Sequence, residues 1–586
     1  MEPSVAQALV MVDELMRCGV TDVVLGVGSR SAPLALAASA AQERGELRLH
    51  VRVDERVAGF VALGIGKATG VPAAVITTSG TACANLLPAV VEAHESRVPL
   101  VLITADRPPR LRHVGANQTI DQAAMFTGFV RAAVDMDTAH EDPELNRYWR
   151  STVSRLVARA TDSIDPGPVH VNVPLDTPLV GAQLLDPVPP ALEGRVDGRP
   201  WTADARLVAG MSIPLDEALA LLDENAIVPA RGIIVVGDHD DDDAIDLIDE
   251  LGDALGWPII SEPSGRASGS QTGLAHGPLV CADESFITEH VPDLVITVGR
   301  VGLYRSLTSL IARSRMHVAV DTRAWWSDPT RSADLVVASV PMPPADSSTQ
   351  MSIDESWWAD WERADLLAAA AVETVLGSHA GPPTGMQVAR VVADAVPEEG
   401  QFFLASSSVV RHVGTFAGRS LNGVSVLGNR GTSGIDGCVS TAWGAAVGEQ
   451  SIGGGPSVLL IGDEAFWYDS NALAVPAEEP RPDLVIVVAD NDGAGIFSTL
   501  EQGDPALATH FERVFGVPLG MDLPELTAAF GIDVVSVDDL ESLRSAIDEG
   551  LGDGVHVIVM RTCSRPMEAS TLHSIQDAVR QAVGNG

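Results

Sequence analysis

The chain has 586 residues, 46% of them hydrophobic and 20% charged, which excludes a disordered, collagenous or coiled-coil chain. At roughly 100–200 residues per domain, that length predicts about three to five domains. Its 38 basic and 79 acidic residues give a net charge of −41, which excludes non-specific binding to nucleic acid or anionic membranes.

Only one basic residue is a lysine, Lys67; the rest are arginines. The five cysteines, Cys18, Cys83, Cys281, Cys438 and Cys563, are far apart and form no C-x-x-C pair. That spacing predicts neither a disulfide framework nor a zinc site, and it fits a cytoplasmic location. The N-terminal residues lack the basic-then-apolar order of a signal peptide. No apolar run is long enough to predict a membrane-spanning helix.

In chain order, Val5, Leu9, Val12, Leu15 and Met16 recur at helical spacing. Strands are predicted at 22–26, 47–51, 73–77, 99–104 and 167–174, with helical patterns between them. A Pro-rich linker follows at 185–190. A second block has strands at 232–237, 293–299 and 317–321. Prolines then predict a soft connection across about 340–383. A third block opens near Met386, with strands at 457–462, 483–488 and 555–560. Strands alternating with helices predict α/β architecture: three doubly wound parallel sheets covered on both faces.

Several motifs sit where such sheets place ligands, at the carboxyl ends of strands. Gly26-Val-Gly28-Ser-Arg-Ser31 resembles a dinucleotide turn but lacks its third glycine. It reads equally as a plain strand-to-helix turn, or as an anion site using Ser29 and Arg30. Asp54-Glu55-Arg56 precedes an apolar helix. Such a triplet is either a helix N-terminal cap or a buried glutamate acting as a hydrogen-bonding group with a raised pKa, and the triplet alone does not decide. Thr77-Thr-Ser-Gly-Thr-Ala-Cys-Ala-Asn85 is a small-residue run forming a tight turn that lets a ligand approach the backbone. Gly462-Asp463 and Asp490-Asn491-Asp492-Gly493 each follow a strand, with Asp463 and Asn491 separated by 28 positions. One carboxylate and one amide suit Mg²⁺ holding a diphosphate. The acidic run at 237–243 reads as a solvated loop feeding a helix N-terminus.

Together these motifs resemble the thiamine-diphosphate-dependent enzymes, which are built from PYR, central and PP domains. Within that superfamily the chain is similar to the menaquinone-pathway synthases. The similarity lies in Gly28-Ser-Arg-Ser-Ala-Pro-Leu34, Asp54–Phe60, Thr78–Ala82, Ala105–Pro108, Gly115-Ala-Asn-Gln118 and Asn429–Gly437. It continues through Gly462-Asp463 to Asp469, Gly493–Phe497 and Glu501-Gln502. Gly26-Val27 replaces the usual Cys-Pro, the metal loop carries two extra carboxylates, and Tyr468 stands where histidine is common.

The resemblance implies a PYR domain at 1–184, a central domain at 191–340 and a PP domain at 384–586. It implies thiamine diphosphate and Mg²⁺, or Mn²⁺ in its place, as cofactors. Metal ligands would be Asp463, Asn491 and Gly493. Glu55 would be the catalytic group that activates the aminopyrimidine. Thr78, Ser79, Gly80, Ile435, Gly462 and Phe497 would complete the cofactor site. The substrates implied are 2-oxoglutarate, which is decarboxylated, and isochorismate, which accepts the remaining succinyl-semialdehyde unit. Both are dicarboxylates, and Arg30, Arg107, Arg411 and Arg430 would hold them, with Arg305 a further candidate. Ser29, Asn117, Gln118 and Ser407 would add hydrogen bonds, and Ile496 and Phe497 an apolar wall. Active sites would lie at the subunit interface of a homodimer or a tetramer built from it. The alternatives are an acetolactate-synthase-like carboligase or 2-oxoacid decarboxylase, a nicotinamide oxidoreductase, and a non-catalytic binding protein.

Overall fold

The computed structural model describes residues 1–584 apart from 143, 182–187, 203–211, 224–226, 240, 242, 323–325, 345–353, 419 and 422. The expected linker residues 185–187, the domain boundary at 184, and Asp240 and Asp242 of the acidic run lie outside the described residues.

Three parallel sheets organise the chain. The first holds β1 (Asp22–Gly26), β2 (Arg48–Arg52), β3 (Ala73–Thr77), β4 (Leu100–Asp106), β5 (Ala132–Asp135) and β6 (Pro168–Pro174). Its order is β2-β1-β3-β4-β6-β5. The second holds β7 (Gly232–Val236), β8 (Ile259–Ser261), β9 (Leu294–Val298), β10 (Met316–Val320) and β11 (Leu335–Val337), in the order β11-β10-β9-β7-β8. The third holds β12 (Gln401–Leu404), β13 (Ser425–Leu427), β14 (Ser457–Gly462), β15 (Leu484–Asp490), β16 (Asp533–Val537) and β17 (Val555–Arg561). Its order, β13-β12-β14-β15-β17-β16, repeats that of the first. Central strands such as β1, β3, β4 and β7 are buried along their whole length, because helices cover both faces.

The chain divides into two compact units. One comprises Met1–Val208 with Asn429–Gly454 and Ala465–Leu484; the other comprises Ala209–Gly428, Gly455–Glu464 and Val485–Gly586. In the first unit the helix Glu55–Thr69 crosses the helix Cys438–Ser451 backbone to backbone. A Cβ on Gly64 would stand 2.1 Å from the Thr441 carbonyl, and one on Gly444 would stand 2.1 Å from that of Val61. These glycines are therefore required by the crossing itself.

The soft connection expected across 340–383 is corrected by the structure. A helix, Glu355–Gly377, occupies most of it, and residues 345–353 lie outside the described residues. Trp357, Trp361, Ala364, Ala368 and Val372 fall on one face and are buried. Asp354 caps the helix by accepting from the Ser356 amide, and Trp357 Nε1 donates to the Gly232 carbonyl at 2.8 Å. Prolines at either end dominate the local reading and hide this 3.6-residue period.

Among the described residues no helix is long and apolar enough to cross a membrane. All five cysteines are free thiols, four of them buried.

Candidate active site

In the first unit the carboxyl ends of β1 to β4 gather nine of the nineteen predicted residues. The strand order reverses between β1 and β3, the point where a doubly wound sheet has its ligand crevice, and here the two loops meet through Gly28 and Thr78. Asp54 caps the next helix, its carboxylate accepting from the Arg56 and Val57 amides. The triplet is thus a cap, and its middle residue is placed by that cap. Glu55 is half-buried on the first turn, its Cγ 3.0 Å from where a Cβ on Gly26 would stand. Its Oε2 accepts from Asn85 Nδ2 at 3.1 Å. Asn85 closes the small-residue run that starts at Thr77, but the sequence gives it no role, because a lone asparagine after a short helix carries no spacing signal.

The Gly26–Ser31 turn lies directly on the β3 loop. A Cβ on Gly28 would meet Thr78 Cβ at 2.3 Å, and the Arg30 amide donates to Thr78 Oγ1 at 3.3 Å. Ser79 is buried; its Oγ donates to the Gln118 carbonyl at 2.9 Å and accepts from Arg107 Nη1. Gln118 Nε2 returns a bond to the Ser79 carbonyl at 2.9 Å. Gly80, at φ +88°, is bonded through its amide to the buried Gln122 Oε1 at 3.2 Å. Gln122 in turn donates to Asn172 Oδ1 at 2.9 Å, inside a polar network that includes Asp106 and Asp135. Ser29 and Asn117 are exposed on the same loops.

Arg30 and Arg107 bond to adjacent residues of the β3 loop, Thr78 and Ser79. Burial, and then the Arg107 charge, push the Arg30 guanidinium below its usual range. Arg30 Nη1 donates to the Leu175 carbonyl at 2.8 Å, while its Nε is buried without a partner. Two guanidinium groups held together are suited to an anion with more than one carboxylate.

Arg430 and Ile435 lie on the loop 429–437, which belongs to the same unit. Both are half-buried. The loop ends against the Glu55 helix, where a Cβ on Gly437 would stand 2.2 Å from the Phe60 ring. Further along, Asp469 is buried and accepts from the Ser440 amide at 2.7 Å and from Arg56 Nη2 at 3.2 Å.

In the second unit the third sheet reverses its strand order between β12 and β14. Gly462 ends β14 and Asp463 starts the next helix, 9% exposed. The Asp463 carboxylate accepts from the Glu464 amide at 2.8 Å and the Gly493 amide at 2.8 Å. Burial and the adjoining Asp490 carboxylate push its carboxyl up to about 7. Asp490 Oδ2 accepts from Arg561 Nη1 at 2.7 Å. Asn491, the next residue after Asp490, has its Oδ1 buried with no hydrogen-bond partner. Two packed carboxylates and an orphaned amide oxygen fit a hard divalent cation. Among the described residues no cluster of three His, Cys, Asp or Glu could hold a metal, so a cation here would need amide, carbonyl and ligand oxygens as well.

Gly493 has φ +129° and lies on the Gly516 carbonyl, which also accepts from the Ala494 amide at 3.0 Å. Arg565, also absent from the sequence reading, braces this loop from beneath and pairs with Glu512 at 2.7 Å. Ile496 and Phe497 follow on the short helix Gly495–Thr499, with Phe497 against Phe515. Ser407, at φ +80°, and Arg411 sit after β12, and Arg411 Nη1 donates to the Ser407 carbonyl at 2.7 Å. The Tyr304 hydroxyl donates to the Arg411 carbonyl at 3.1 Å, which places the neighbouring Arg305 beside the Arg411 helix. Gln118, Ser407, Ser433 and Asp492 are non-glycine residues at positive φ, and each sits in one of these loops. Such strain concentrates where a fold holds a ligand-binding shape.

Residues 5–125 match the thiamine pyrophosphate enzyme N-terminal TPP-binding domain, and residues 418–560 match the C-terminal TPP-binding domain. The chain is 41% identical to the 2-succinyl-5-enolpyruvyl-6-hydroxy-3-cyclohexene-1-carboxylate synthase of Saccharopolyspora erythraea over 91% of each chain. It is 40% identical to the synthase of that name from Thermobifida fusca over the full length of both. It is also 40% identical to that of Nocardia farcinica, over 97% of this chain and 99% of the other. The chain therefore belongs to the thiamine-diphosphate-dependent enzymes and, within them, to the 2-succinyl-5-enolpyruvyl-6-hydroxy-3-cyclohexene-1-carboxylate synthase family.

Proposed function

We propose that this enzyme decarboxylates 2-oxoglutarate and adds the remaining four-carbon unit to isochorismate, releasing CO₂ and the cyclohexene product for which the family is named. In this reading the three sheets are the cores of a PYR domain at 1–184, a central domain at 191–340 and a PP domain at 384–586. When bound, thiamine diphosphate supplies the electron sink for decarboxylation and carbon–carbon bond formation.

The residues hold and orient what that chemistry needs. Asp463, Asn491 and the Gly493 carbonyl would hold Mg²⁺ or Mn²⁺, and the cation would supply the positive charge that a diphosphate needs. Glu55 exchanges a proton with the aminopyrimidine ring nitrogen, and Asn85 fixes its carboxylate. Thr78, Ser79 and Gly80 leave room for the ring, and Ile435 and Phe497 flank it. Arg30, Arg107, Arg411 and Arg430 bind substrate carboxylates, each contact contributing roughly 1.5–3 kcal/mol. Ser29, Asn117, Gln118 and Ser407 add neutral hydrogen bonds, and Ile496 excludes water. Glu55 of one protomer works with the metal site of its partner in a homodimer, or in a tetramer of such dimers.

The observation that carries the substrate reading is that Arg30 and Arg107 both bond to the Thr78-Ser79 loop in a chain of net charge −41. Local positive charge of that kind is needed for a dicarboxylate to approach so acidic a protein. Mass spectrometry of the product from 2-oxoglutarate plus isochorismate tests the proposal. The expected result is the succinyl-cyclohexene adduct; a product formed from 2-oxoglutarate alone would replace this reading with a simple decarboxylase.

A further inference from the structure

The loop that carries Arg430 and Ile435 is gripped from outside by a buried carboxylate. Glu92 lies on the helix Leu87–Ser96 and is 2% exposed. Its Oε1 accepts from the Gly431 amide at 2.9 Å and from Ser96 Oγ at 2.7 Å. Its Oε2 accepts from the Thr432 amide at 2.7 Å and from Thr432 Oγ1 at 2.7 Å. Both oxygens are therefore doubly engaged, three of the bonds coming from the loop. Burial pushes the Glu92 carboxyl up, but the Lys67 charge and the bonds from Thr432 and Ser96 outweigh it and hold the group below its usual range.

The loop lies flat on that helix. A Cβ on Gly431 would stand 2.6 Å from Ser96 Oγ and 2.9 Å from the Glu92 carbonyl. The next residue but one, Ser433, has φ +59°, a conformation that an L side chain resists. Left alone, this backbone would relax, and Arg430 and Ile435 on either side of the grip would move with it. A buried ionised group costs more than an apolar one of similar size, so packing alone does not call for a glutamate here.

We propose that Glu92 is a positioning residue of the reaction: it fixes the backbone at Gly431 and Thr432, and so sets where Arg430 meets substrate and where Ile435 meets cofactor. This inference rests on the roles proposed above for those two residues. Glu92 touches neither ligand; it acts through the loop.

The test is a double-mutant cycle on kcat/KM with Glu92→Gln and Arg430→Ala, paired with fluorescence titration of the apoenzymes with thiamine diphosphate and Mg²⁺. The amide of Glu92→Gln turns an NH₂ towards donors it cannot accept from. We expect about a 10²-fold loss of kcat/KM with the melting temperature nearly unchanged. The double variant should lose far less than the product of the two single losses, because both act through one loop. Cofactor affinity should fall in Glu92→Gln and stay normal in Arg430→Ala. If Glu92→Gln does not fold, Thr432→Val removes a single donor and carries the same cycle with a smaller loss. Losses that multiply fully, with cofactor affinity unchanged, would overturn the proposal and leave Glu92 a structural residue. If the wild-type enzyme makes no adduct, the substrate reading fails, while the cofactor titration still decides whether Glu92 sets the loop.

Discussion

The first and third sheets share one strand order and reverse it at the same point, between their first and third strands in sequence. Their crevices hold opposite chemistry. At the first, a glutamate, two arginines and glycine-lined turns suit a ring nitrogen and carboxylates. At the third, Asp463, Asp490 and the orphaned Asn491 oxygen suit a cation. The middle sheet reverses between β7 and β9, and there the two loops pair backbone to backbone, whereas at the first sheet the Arg30 amide donates to a side chain, Thr78 Oγ1. The Asp238 amide donates to the Arg300 carbonyl at 2.9 Å and the Arg300 amide to the Asp238 carbonyl at 2.8 Å. Glu262 further occupies the Gly302 and Leu303 amides. Topology thus fixes where a site can form, and the residues after each strand decide whether one does.

The contrast can be broken most sharply at Glu55. Glu55→Gln should fold and bind cofactor normally but lose about 10²–10⁴ in rate, measured by steady-state turnover. Near-normal turnover would remove the first sheet's carboxylate from the chemistry. At the third sheet the expected defect is one of binding. Asp463→Ala or Asn491→Ala should weaken thiamine-diphosphate affinity by at least about 10–100-fold, read by calorimetry with Mg²⁺. Chelation of the metal should abolish activity, and added Mg²⁺ should restore it. The arginines should show in donor choice. Pyruvate leaves a guanidinium unpaired, so 2-oxoglutarate should be favoured by about 10²–10³ in kcat/KM. Arg107→Ala and Arg411→Ala should each raise KM for one substrate with the cofactor still bound, and equal efficiency with pyruvate would favour an acetolactate-type reading.

Two smaller effects concern stability of the first unit. Gly64→Ala should cost about 1–3 kcal/mol in a urea melt, because the crossing helix leaves no room for a methyl group. At Asp22, burial pushes the carboxyl up, but hydrogen bonds from His50 and Arg48 bring it down to about 2, against a usual 3.8. A depressed carboxyl stabilises above pH 4 and loses that contribution as pH falls through 2. Asp22→Asn should therefore flatten the acid limb of the stability curve by about 2 kcal/mol.

The fold was legible in the longer buried strands, since runs such as Ala73–Thr77 and Ser457–Gly462 are continuous apolar stretches, whereas the buried β8 and β12 are too short to stand out. Short or edge strands such as β5, β11 and β16 were not, because their faces are only partly buried. The helix Glu355–Gly377 was hidden by neighbouring prolines. Glu55, Asp463 and Asn491 stand out in the sequence because each follows a strand, with Asp463 and Asn491 separated by 28 positions. Asn85, Glu92 and Arg565 were not, because each acts by reaching a loop distant in sequence, and no local pattern records that contact.

The central claim is that the first sheet's carboxylate and the third sheet's metal site are complementary halves of one catalytic centre, supplied by two protomers. Subunit mixing tests it most directly. Glu55→Gln and Asp463→Ala dimers, each inactive, are exchanged in equal amounts and assayed with 2-oxoglutarate and isochorismate. One interface in each mixed dimer then carries both intact groups, so activity should recover to roughly a quarter of the wild-type value. No recovery, once subunit exchange has been demonstrated by mass spectrometry, would contradict the claim.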